Sequence, residues 1–109
     1  MNQAQFLEKI YSGVETGMKV LVPKRKTDIL EISDTGEIIY MIADTYRKVL
    51  SKQELLDVYQ QLCIGPIKTS NLRKIATPTR TCNVSTIRWL LWRFDLATEQ
   101  SDRSWVRNW

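Results

Sequence analysis

A chain of 109 residues is the size of one domain, since a single hydrophobic core is most economical at about 100 to 150 residues. With 43% hydrophobic and 26% charged residues and a formal net charge of +4, it is too apolar to stay disordered. The absence of histidine excludes Ser-His and Cys-His nucleophilic catalysis, and two cysteines alone cannot supply the roughly four ligands of a zinc site.

The first predicted element is a short amphipathic helix over residues 3–12, where Phe6, Leu7, Ile10 and Tyr11 recur at helical spacing before Ser12-Gly13. Four β-rich runs follow across residues 18–50: Lys19 to Val22, Ile29 to Ile32, Glu37 to Ile42 and Tyr46 to Leu50. Asp34-Thr35-Gly36 is a hairpin signal, because glycine takes the positive φ that closes a short loop. These runs predict an antiparallel sheet of three or four strands. Lys24-Arg25-Lys26 falls between the first two strands and reads as a solvated hairpin tip or as a further phosphate contact.

Ser51-Lys52-Gln53-Glu54 has the spacing of a capping box, so a helix is expected to start there, with Leu55, Val58, Tyr59 and Leu62 inward and Gly65-Pro66 as its stop. A shorter helix capped by Thr69 or Ser70 carries Leu72, Ile75 and Ala76 and ends by Pro78. A third begins at Asn83 or Ser85 and turns Val84, Ile87, Leu90, Leu91 and Phe94 inward. Residues 51–96 thus form a three-helix unit and residues 97–109 a polar tail. The fold class expected is α+β, one domain over residues 1–109.

Charge is segregated along this order. From Gly65 to Phe94 the charged residues are Lys68, Arg73, Lys74, Arg80, Arg88 and Arg93, with no carboxylate among them. Such a stretch suits an anionic partner, and phosphate backbones are the commonest. The run Ile67-Lys68-Thr69-Ser70-Asn71-Leu72-Arg73-Lys74-Ile75-Ala76, a turn, then Asn83-Val84-Ser85-Thr86-Ile87-Arg88-Trp89-Leu90-Leu91 resembles the helix-turn-helix of winged-helix-type DNA-binding domains. That resemblance covers residues 51–94 and implies that the third helix enters the major groove, with Asn83, Ser85, Thr86 and Arg88 toward the bases. Lys68, Arg73, Lys74 and Arg80 would then contact phosphates. Two departures are visible: the turn from Thr77 to Cys82 is long for the motif, and no wing hairpin is expected after the third helix.

On the third helix, Arg88, Trp89, Trp92 and Arg93 fall on or near the outer face. Tryptophan there admits three readings: stacking on an unpaired base, an interface anchor for a protein partner or second copy, or cover by the tail through Trp105 and Trp109. The acidic residues Asp28, Glu31, Asp34, Glu37 and Asp44 alternate with Ile29, Ile32 and Ile38 as on a half-buried sheet. No glycine-rich phosphate loop is present, so no enzyme, cofactor or small-molecule substrate is expected. Cys63 and Cys82 read as small buried fillers. Apolar runs are too short to span a membrane and no secretory signal opens the sequence, so the expectation is a cytoplasmic protein. The leading function is binding of DNA, or RNA; the alternative is a protein-interaction adaptor or homodimerisation module using Trp89, Trp92 and Arg93.

Overall fold

The first two helices begin where a side chain takes up backbone N–H groups that have no partner in the first turn, whereas the two that follow start without a side-chain cap. The computed structural model describes residues 1–22, 25–76 and 82–109, with only the backbone described for residues 19–22, 25 and 26. Helix α1 (Gln3–Gly13) is opened by a reciprocal pair, Asn2 Oδ1 accepting from Gln5 N at 2.8 Å and Gln5 Oε1 accepting from Asn2 N at 2.8 Å. The expected capping box at Ser51 opens α2 (Lys52–Ile64) in the same way, and Gly65 ends it.

Between them, β1 (Lys19–Val22), β2 (Arg25–Ile32), β3 (Ile38–Ile42) and β4 (Tyr46–Leu50) form a four-stranded antiparallel meander in sequence order. Arg25 and Lys26 pair with Val22 and Leu21, so they belong to β2 and not to the loop expected of them; Lys24 lies outside the described residues. The β2–β3 turn uses Gly36 at φ 82°, and the Tyr11 hydroxyl donates to Gly36 O at 2.7 Å, tying α1 to the turn. The β3–β4 turn places Ala43 and Asp44 at φ 54° and 58°, the paired positive values of the tight turn that matches strand twist.

The remaining elements are α3 (Thr69–Ile75), α4 (Asn83–Arg93), β5 (Ala97–Glu99) and β6 (Trp105–Arg107). The tail expected over residues 97–109 is instead an antiparallel hairpin, with Thr98 opposite Val106. Ile67, between α2 and α3, adds a third member on the far side of β6: its N–H donates to Trp105 O at 2.9 Å and Trp105 N–H returns a bond at 2.7 Å. A hairpin therefore does follow the third helix of the unit. Its strands are three residues each, too short for alternation to stand out in sequence, and the stabilising partner at Ile67 is remote.

One core runs through all of these elements. Phe6 and Ile10 of α1, Ile29, Ile38 and Tyr40 of the sheet, Leu55 and Leu62 of α2, Leu72 of α3, Ile87 and Leu90 of α4 and Trp105 of the hairpin belong to a single buried cluster. Helix α4 sits at its centre, packed against β1, β4, α3 and β5. Trp109 stacks on Tyr59 at 5.9 Å and meets the edge of Phe6 at 6.0 Å. Cys63 is exposed, against the expectation of burial, and both cysteines are free. No helix among the described residues is long and apolar enough to cross a membrane.

Candidate interaction surface: the last helix and the groove beside it

Because α4 has neighbours on so many sides, its buried arc is wider than one apolar stripe, and polar residues are drawn inside it. Asn83 and Thr86, expected to face bases, are 0% and 1% exposed. Asn83 Nδ2 donates to Val49 O at 2.9 Å and to Glu54 Oε2 at 2.8 Å, and its Oδ1 accepts from the Tyr40 hydroxyl. The Glu54 carboxylate also accepts from Ser51 N and Oγ at 3.2 and 3.0 Å. One buried polar network therefore joins β3, β4 and the N-termini of α2 and α4. Asn83 positions α4; it is not available to a ligand.

Burial pushes the Tyr40 phenol well above its ordinary value of 10.0, with the Thr86 hydroxyl opposing and Cys82 and Glu54 adding to the rise. A folded-state value raised above the unfolded one contributes stability that is complete below about pH 10 and fades as the pH climbs beyond it. Chemical denaturation at increasing pH is thus expected to show stability falling above about pH 10, with Tyr40→Phe removing the larger part of the slope. An unchanged slope in that variant would assign it to other groups.

Trp89, expected outside, is also buried, its ring edge-on to Phe94 at 6.1 Å. The face left open on α4 is the stripe Ser85, Arg88 and Trp92, the last 58% exposed. Arg88 Nη2 lies 2.8 Å from Glu99 Oε2, each side chain little more than one-third exposed, so its guanidinium is engaged by the hairpin. Arg93 is exposed and lies over the Phe94 ring at 5.5 Å. Lys68, Arg73 and Lys74 are exposed on or beside α3, and Arg80 lies outside the described residues. The basic side chains thus divide between α3 and the outer stripe of α4.

Between that stripe and the hairpin lies a groove of about 630 Å³, lined among others by Arg88, Trp92, Asp95, Thr98, Glu99 and Trp105. Sequence reasoning found Arg88 and Trp92 but missed the other side; the available signal was Trp105-Val106-Arg107, a β-rich triplet after the turn-forming Ser101-Asp102-Arg103-Ser104. Asp102 Oδ1 accepts from Ser104 Oγ at 2.6 Å and Ser104 N at 2.9 Å. These bonds hold its carboxyl below the ordinary value, with the Lys68 ammonium contributing. Two N–H groups beside the groove, Arg88 Nε and Trp105 Nε1, are buried with no hydrogen-bond partner among the described residues. No group of three metal-ligating side chains occurs among those residues. Comparisons of the chain with protein-family models, with characterised proteins and with solved structures give no match.

Proposed function

We propose that this chain is a small nucleic-acid-binding accessory or regulatory protein built on a winged-helix-like module. The observation that carries the reading is the order α2, Ile67, α3, α4, β5, β6, in which Ile67 pairs with β6 and leaves β5 outermost. Winged-helix domains carry a hairpin after the third helix of such a unit, and the β5–β6 hairpin supports that comparison. The contact scheme changes from the one expected of the sequence. With Asn83 and Thr86 inside and Arg88 held by Glu99, base reading by α4 has lost most of its side chains. Lys68, Arg73 and Lys74 remain as phosphate contacts, with Ser85 at the exposed start of α4. Binding of this kind is driven by charge and is weak in sequence preference.

Fluorescence anisotropy with a labelled duplex and a labelled single strand tests this and separates duplex from single-stranded targets. Three phosphate contacts predict an affinity loss of about fortyfold between 50 and 200 mM salt, and Arg73→Ala with Lys74→Ala should reduce the logarithmic salt slope by about 2. Glu99→Gln, which releases Arg88 and removes a negative charge, should tighten binding several-fold. Absence of binding to either strand form at low salt would sink the proposal.

The exposed Trp92 beside a groove that contains carboxylates favours a second reading, an adaptor that docks a protein partner.

A further inference from the structure

The groove differs in chemistry from the basic face of α3. Residues 58–109 carry only three carboxylates, Asp95, Glu99 and Asp102, and two of them line this groove. Its charged lining residues are Arg88, Asp95 and Glu99, and the Arg88–Glu99 pair leaves Asp95 in excess. Phosphate would be repelled there, whereas a cation would be met by carboxylate and by the Trp92 indole, whose face attracts cations.

The strand beside the groove is also incomplete. Asn108 N donates to Leu96 O at 3.1 Å and Gln100 N donates to Ser104 O at 2.7 Å. Even-numbered positions of this segment therefore turn their backbone groups toward β6. By the alternation of an antiparallel ladder, Ala97 and Glu99 turn theirs away from β6. Since β6 is bonded to Ile67 on its other side, β5 is the free edge among the described residues. Ala97, Thr98 and Glu99 all line the groove; consecutive residues of a strand alternate faces, so the groove runs along this edge.

We infer that the groove between α4 and β5 docks an extended basic segment of a partner protein. That segment adds a strand to β5 and sets a lysine or arginine against Asp95, Glu99 and Trp92. Strand addition of this type draws affinity from main-chain bonds and selectivity from alternate side-chain pockets. The groove volume falls within the range of about 300 to 1,000 Å³ over which compact ligand sites occur. The inference uses the α4–β5 edge and not the lysines and arginine of α3, so it and the nucleic-acid reading can fail separately.

The test uses the full chain against an array of synthetic decapeptides with a fixed central lysine and randomised β-forming flanks. The expected result is saturable binding of a subset, and slowed amide exchange at Ala97 and Glu99 when one of them binds. Asp95→Asn with Glu99→Gln should weaken that binding at least tenfold, as should Trp92→Ala. Asp95, Glu99 and Trp92 are exposed, and circular dichroism verifies that the variants stay folded. Replacing the central lysine by glutamate should abolish binding. The inference is overturned if no peptide binds saturably, if the Asp95/Glu99 variant binds as well as the parent, or if an oligothymidine protects the same amides. Protection of those amides in a peptide-free, concentration-dependent dimer would overturn it too, by assigning the edge to a second copy.

Discussion

Asn83→Ala is expected to destabilise the fold by about 3 to 5 kcal/mol, the cost of removing one partner from a buried charged and hydrogen-bonded group. The substitution deletes both donors and the acceptor of the side chain at once. Glu54 loses a bond to its carboxylate, Val49 O loses its donor and the Tyr40 hydroxyl loses its acceptor, with Asn83, Glu54 and Tyr40 themselves buried. At about 5 °C per kcal/mol for a chain of this size, the melting temperature should fall by roughly 15 to 25 °C. Urea denaturation reads the loss directly. A change below about 1 kcal/mol would mean that the network contributes only what a surface contact does. The same variant also separates the two roles that the sequence allows for Asn83. A base-reading residue would lose binding at unchanged stability, while a positioning residue loses stability first.

Trp105→Ala should cost about 4 kcal/mol, as expected for truncating a large buried aromatic side chain. Trp105 is buried on β6, lines the groove, and shares two main-chain bonds with Ile67. Its loss removes the apolar anchor of the hairpin, so amide exchange across residues 97–107 should accelerate more than in α1 or α2. Trp105→Phe should cost far less, about 1 kcal/mol, because the ring body is largely kept and the lost Nε1–H has no partner to leave behind. Equal losses for the two variants, measured by chemical denaturation, would show that the indole N–H is engaged in the folded state.

Features set by neighbours along the chain were legible before folding is considered. The Ser51 to Glu54 capping box, the Gly65 stop and the glycine of the Asp34-Thr35-Gly36 turn depend on contacts within a few residues, and the runs of the meander stood out by β-rich composition between turns, although pairing with β1 extended β2 to Arg25. The inward positions Val84, Ile87, Leu90 and Leu91 were equally readable, since apolar periodicity reports the side of a helix that meets its first partner.

What lay beyond the sequence was decided by partners far along the chain. Tyr40, Val49 and Glu54 stand 43, 34 and 29 residues from Asn83, and only their convergence makes an amide more stable inside than in water. Arg88 is held because residues 97–107 fold back as a hairpin, and that hairpin is bonded to Ile67, which lies before two helices; Trp89 is buried with its ring against Phe94. By itself the sequence determined an α+β chain with a sheet, a capped helix and a basic helical half. The tertiary structure decided which polar and aromatic residues of α4 reach solvent, because a helix packed on several sides at once buries a wider arc than its apolar stripe can announce.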